Sequence, residues 1–225
     1  MDESTINLVI KLFPLIVGTA VVPSLIILVI LFLQSNQGLF KASAFVGGMV
    51  AWRLFLVTIF VYYAYIFEVL FSLQIPERIH LAILIMLGII LLIVAFNVQR
   101  KKNSASNKFL NITEIADRIN PPLAFVLGAV LMATGIKHYV FMLDAMHSLE
   151  ISGISGSQWT FTIILFILAA EMLVLLPILI YLLLPKRSGA ILGSFKYFLD
   201  RYSSTIVIIF CTTLGFFFLW RAYSL

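Results

Sequence analysis

The sequence predicts an all-α integral membrane protein. Six transmembrane helices are expected as two inverted three-helix repeats, with a cytosolic amphipathic helix between spans five and six. Mean hydropathy is +1.12, and 62% of the 225 residues are hydrophobic against 11% charged, where an average soluble domain carries about 25% charge. The apolar residues come in long continuous runs of the roughly 20 residues that a helical span needs, whereas the strands of a membrane barrel would alternate. Lys and Arg gather in alternate connections, the pattern that orients spans.

Span one, about Thr5 to Leu33, contains Pro14 and Pro23 with Gly18 between them. A proline removes a backbone donor and clashes with the preceding turn, so a kink or break is expected near the string VVPS. Span two, about Ala42 to Leu73, opens with FVGG, carries Arg53 and ends among Tyr62, Tyr63, Tyr65 and Glu68. Those tyrosines read as an interfacial belt that puts Glu68 near the headgroups. Span three, about Ile79 to Val98, is an almost featureless run of Leu and Ile and reads as scaffold. Residues 1–99 thus form a first three-span half, 100–119 a cytosolic basic linker, and 120–225 a second three-span half. The linker string Asn111-Ile112-Thr113 matches a glycosylation acceptor, but the basic residues around it place it on the cytosolic side.

Span four starts at Asn120 with a Pro pair suited to a helix start, and midway it sets Gly135, Lys137 and His138 together, with Asp144 about two turns on. A glycine and a cation inside hydrocarbon point to a polar path. Span five, about Trp159 to Leu184, holds Glu171 in its middle and Pro177 after it, and span six is about Thr205 to Tyr223. Between them Ile191, Leu192, Phe195, Phe198, Leu199 and Tyr202 recur at helical spacing, as in a helix lying flat on the cytosolic leaflet.

With the link after span three inside, ten cations from Lys41 to Arg201 face the cytosol and only Arg78 and Arg221, with Lys11 near the end of span one, face outward. This puts both termini outside the cytosol. The amino-terminal Asp2 and Glu3 are the wrong flank for a cleaved signal peptide, so the first run is expected to remain. One cysteine, Cys211, makes an internal disulfide or CxxC pair impossible and reads as packing.

Arg53 and Glu171 fall deep in spans two and five. An uncompensated charge there costs about 2.5 kcal/mol or more, so the two are expected to pair or to face water. The structural reading is an ion pair locking two helices. The functional reading has Glu171 exchanging protons while Arg53 tunes it or holds an anionic headgroup. Lys137 and Asp144, seven residues apart, share nearly one helix face. His138 and His147 with Asp144 raise a metal site, which the neighbouring cation and the shortage of carboxylates oppose. No phosphate loop, HExxH motif or nucleophile elbow is present, so neither an enzyme nor a cofactor is expected, and ATP coupling has no motif to run on.

Val17 to Ser24 and Leu127 to Lys137 echo each other. Each begins near a glycine and reaches an irregular point mid-span, and three spans separate them, as in inverted-repeat transporters. The runs PSLIILVILFLQSNQGLFKASAFVGG and PPLAFVLGAVLMATGIKH, with the span-five proline before YLLLPKRSG, resemble the GAP family of the LysE transporter superfamily, six-span exporters whose mycobacterial members are called sulfolipid-addressing proteins. The likeness covers nearly the whole chain. It implies a span-one proline, matched by Pro23, and an Asn-Pro-Lys in span four, of which Gly135-Ile136-Lys137 keeps the lysine alone. That match makes Lys137 a pathway residue by resemblance.

The expected function is a secondary transporter, an exporter of a small amphipathic or lipid-linked molecule across the bacterial cytoplasmic membrane. Its two halves would rock about a pathway of Pro23, Arg53, Gly135, Lys137, Asp144 and Glu171. A non-transporting protein that assists assembly or trafficking of an envelope component is the rival from another class, and a divalent-cation transporter is a third. Membrane lipids and the substrate are the expected partners, a second copy of the chain is a candidate, and nucleic acid is not expected because the basic residues serve orientation.

Overall fold

The computed structural model describes residues 3–71, 77–101, 116–154 and 156–223, with side chains described outside 3–11, 63–71, 77–80, 83, 101, 136, 137, 150, 151 and 221. Asn111-Ile112-Thr113 and most of the basic linker lie outside the described residues, as do the side chains of Lys11, Tyr63, Tyr65, Glu68, Arg78, Lys137 and Arg221. The chain runs as α1 (Glu3–Ala20), α2 (Pro23–Leu33), α3 (Gly38–Phe71), α4 (Glu77–Lys101), α5 (Pro121–Thr134), α6 (Ile136–Ile151), α7 (Gly156–Leu183) and α8 (Ser188–Tyr223). No strand occurs among the described residues.

Among the described residues, three helices are long and apolar enough to cross a membrane, over Gly38–Tyr62, Gly156–Leu183 and Ser188–Trp220, and up to five spans result if each of two bent helix pairs counts as one. In α4, the stretch with this character among the described residues is Leu84–Arg100, shorter than a full span.

The bent pairs have different local causes. Between α1 and α2 the chain turns by 50°. Pro23 at the start of α2 forces the residue before it out of helical geometry, and Val22 accordingly sits at φ −131°, ψ 86°. Between α5 and α6 the turn is 72° and no proline is involved. Gly135 leaves the helix at φ −86°, ψ 90°, and a Cβ on it would lie 2.5 Å from the imidazole Cδ2 of His138. A side chain there would need that ring to move aside. α5 begins as its sequence suggests, with Asn120 Oδ1 accepting from the Leu123 N–H at 2.9 Å ahead of the Pro pair.

The core divides into two clusters. One collects most of α2 with Phe45 and Met49 of α3, Met132 of α5, Val174 and Ile178 of α7, and Leu192 and Leu199 of α8. The other collects Leu15 of α1, Val57 of α3, Leu84 and Leu91 of α4, Phe141 of α6, Phe166 of α7 and Phe218 of α8. The α1–α2 pair passes from the second cluster to the first, α3 returns, α5–α6 passes from the first to the second, α7 reverses this and α8 reverses it again.

The segment expected to lie flat between spans five and six is instead the opening of α8, which is continuous to Tyr223. Leu192 and Leu199 are buried in the first cluster. Apolar residues at helical spacing make a stripe that can meet lipid or protein equally well, and neither proline nor a capping glycine separates this stripe from the span that follows.

Two crossings bring backbones into contact. A Cβ on Gly48 of α3 would fall on the carbonyl oxygen of Phe125 in α5, and one on Gly128 of α5 would fall on the carbonyl oxygen of Phe45 in α3. Gly88 of α4 and Gly215 of α8 face each other likewise, each 3.1 Å or less from the other's carbonyl oxygen at the Cβ position. Small residues are what permit such approach where helix association rests on close packing. Both crossings join a helix within residues 1–99 to one within residues 120–225.

Replacing Gly48 or Gly128 with alanine is expected to destabilise the protein by about 1–3 kcal/mol, because the added methyl meets backbone that cannot rotate away. Gly193, with nothing near its Cβ position, is expected to accept alanine without loss, as helix propensity favours the change. Thermal unfolding of the purified proteins in one detergent compares the three.

Candidate functional site

Arg53 on α3 and Glu171 on α7 meet in the interior, Nε to Oε1 at 2.7 Å, with 4% and 0% of each residue exposed. Arg53 stands as far from Gly38, the first residue of its helix, as Glu171 stands from Gly156, 15 residues in each case. The two charges stand on two helices running in opposite directions through the core. Their contact is an ion pair without the alignment of a hydrogen bond. Arg53 Nη2 and both Glu171 oxygens are buried with hydrogen-bonding capacity unmet among the described residues. Buried polar atoms of this kind are costly to leave unmet.

The level of the pair is fixed by the two clusters. On α3, Arg53 falls between Met49 of the first and Val57 of the second, and on α7 Glu171 falls between Val174 of the first and Ile167 of the second. The two helix breaks fall at this same boundary, one between Leu15 and Leu25, the other between Met132 and Val140. Arg53, Glu171 and the two helix breaks thus fall, each along its own helix, in the layer between the clusters, with Pro23 at its edge beside Val22 of the first cluster.

α1 and α6 also touch near that layer, where Gly18 leaves room for the ring of Phe141. Around the second break, the Tyr139 hydroxyl donates to the Ala133 carbonyl at 2.7 Å, supplying a partner to an oxygen that the interrupted helix leaves behind. Lys137 belongs to the first turn of α6, and the direction of its side chain lies outside the described residues. Asp144 is buried, but on α6 beside Phe141 and Ala145 of the second cluster, about 13 Å along the helix from Gly135.

A family model described as Sap, sulfolipid-1-addressing protein, matches residues 12–224. The chain belongs to that family. No curated protein and no solved structure matches it. The range shared with the sulfolipid-1-addressing protein family takes in both helix breaks, both glycine crossings and both members of the ion pair.

One cation of the inside set in this sulfolipid-1-addressing protein family member is not a solvated loop charge. Lys41 was counted among cytosolic loop cations, yet it is 3% exposed. Its Nζ donates to the carbonyls of Ala116 and Asp117 at 3.0 and 3.2 Å and to Ser35 Oγ at 3.2 Å. The Asn36 N–H adds a weaker contact to Asp117 Oδ1 at 3.4 Å. The linker's end is thereby fastened to the α2–α3 turn. The available signal was position: Lys41 is in the first turn of α3, where the helix dipole disfavours a cation.

Truncating one member of the buried pair, as in Glu171→Ala, is expected to cost about 3–5 kcal/mol, since the other charge is left uncompensated. The double variant Arg53→Met/Glu171→Leu is expected to recover most of that loss. Chemical or thermal unfolding across the double-mutant cycle measures the coupling.

Proposed function

We propose that this chain is a secondary transporter of the bacterial cytoplasmic membrane that exports an amphipathic, lipid-linked anion, with six spans and both termini outside the cytosol. The observation that carries the reading is the convergence of two helix breaks and one buried ion pair on a single layer of the interior. Broken helices around midplane charges are how inverted-repeat transporters build a substrate site without exposing backbone to lipid. The opposed order in which α1–α2 and α3 on one side, and α5–α6 and α7 on the other, pass through the clusters supports the repeat, as do the equal distances of Arg53 and Glu171 from the starts of their helices.

In this reading an anionic headgroup enters the layer and takes the free donors of Arg53. The carboxylate of Glu171, deprived of its partner, takes up a proton, and reversal of both events releases the substrate on the other side. Lys137, at the start of α6, supplies further positive charge near the path. The expected rocking of two sequence halves is revised: the glycine crossings favour α3 with α5 and α4 with α8 as the bodies that stay together, while the broken helices flex between them.

The family's description speaks of addressing a lipid, which favours a second reading, a membrane protein that assists delivery of an envelope lipid without moving it. The divalent-cation alternative has no comparable support, since among the described residues no three His, Cys, Asp or Glu come together.

Proteoliposome flux separates the two. With an anionic glycolipid or phospholipid reporter in one leaflet, the wild-type protein is expected to transfer it to the other. Arg53→Gln is expected to slow transfer about tenfold or more, the equivalent of a lost charge-assisted contact. Glu171→Gln is expected to abolish the response to an imposed proton gradient. Absence of transfer for every lipid class tested, with correctly folded protein, favours the assisting role.

A further inference from the structure

On the outer side of the bundle α1 and α8 diverge and leave a groove of about 360 Å³, within the size range of small-ligand sites. Phe13, Pro14 and Val17 form one wall, and Ile209, Thr213 and Phe217 are on the other. The helices that make it belong to membrane-spanning stretches, α1 within a bent pair and α8 within Ser188–Trp220. Phe13 and Ile209 are 62% and 58% exposed, so the groove opens toward the hydrocarbon and not toward the interior.

The chemistry of the lining narrows the occupant. Thr213 contributes its one hydroxyl, which donates back to the Ile209 carbonyl at 2.9 Å. Nothing else in the walls can recognise a polar group, and a polar ligand would lose its hydration here without recompense. An unbranched hydrocarbon chain is what the site can take up, held by dispersion contacts and by the shape of the slot.

One end of the groove, at Val17, comes close to the first helix break. Its floor is Leu214, buried and in contact with Gly18. Val17 precedes the end of α1 at Ala20 by three residues, about 5 Å along the helix. A chain lying in the groove therefore runs up to the first helix break.

We propose that the groove between α1 and α8 binds one alkyl chain of the lipid substrate while its headgroup occupies the layer of Arg53 and Glu171. The headgroup half of this statement rests on the transport reading, whereas the chain site stands on the groove itself. Tails would then stay in hydrocarbon throughout, and only the polar part would cross the interior.

The test is photolabelling of the full-length protein in lipid nanodiscs with a phospholipid carrying a diazirine in one acyl chain, with adducts mapped by mass spectrometry. Labelling is expected to concentrate on Phe13, Val17, Ile209 and Thr213, several-fold above equally exposed lipid-facing positions such as Leu165 and Leu168 of α7. Val17→Trp and, separately, Thr213→Trp are expected to remove the excess and leave labelling of α7 unchanged. Uniform labelling of all exposed apolar residues overturns the proposal, as does an excess that survives both tryptophans. In a Cys211→Ser background, efficient disulfide formation between two copies carrying Ile209→Cys would also overturn it, in favour of a second chain as the occupant. Groove labelling without lipid transfer in proteoliposomes upholds the chain site and removes the transport reading, and transfer without groove labelling does the reverse.

Discussion

A charge in hydrocarbon and a backbone group without its helical partner pose the same problem, and this protein meets both in one layer. The Arg53–Glu171 contact neutralises two charges that would each cost about 2.5–3.5 kcal/mol alone at the centre of a span. At the same level Pro23 and Gly135 interrupt two helices, where backbone groups are tolerated only if they are buried in protein or line a polar space. Tyr139 caps one of the released carbonyls. Two apolar clusters close this layer above and below. If the pair were lost, the breaks would stand in a wholly apolar interior with fewer polar neighbours to justify them.

The second constraint is mechanical. Backbone contact at Gly48 and Gly128, and again at Gly88 and Gly215, ties together helices that are far apart in sequence. At the first crossing backbone meets backbone, and at the second only Leu92 and Leu219 flank the contact, so motion is directed to the places where packing passes through flexible side chains and broken segments. The ion pair joins α3 to α7, and the breaks lie between α1 and α2 and between α5 and α6. The lysine clamp from α3 to the end of the linker reinforces the same grouping, because it fastens the residues just before α5 to α3.

Much of this was legible from residue types alone. A proline with a restricted predecessor breaks a helix by local sterics, which is why the break before Pro23 falls where the string VVPS placed it. Arg53 and Glu171 stood out because opposite charges in two apolar runs have little else to do but meet. Gly48 and Gly128 were visible as residues, but their partnership is a property of two helices in register, to which no local pattern points. The α8 opening misled for a related reason, since periodicity reports that one face is apolar without saying what covers it. Lys41 was missed because counting cations by loop treats them all as solvated, whereas this one satisfies three oxygens in the interior.

The glycine crossings also bear on how the chain is made. Gly48 leaves the ribosome 80 residues before Gly128, roughly 4–16 s earlier at usual rates of synthesis of about 5–20 residues per second. For that interval α3 carries a flat, small-residue face and a buried-type arginine with neither counterpart yet in the membrane. Biogenesis of this fold therefore needs the nascent amino-terminal helices to be sheltered, by the insertion machinery or by lipid, until the helices they fit have been translated.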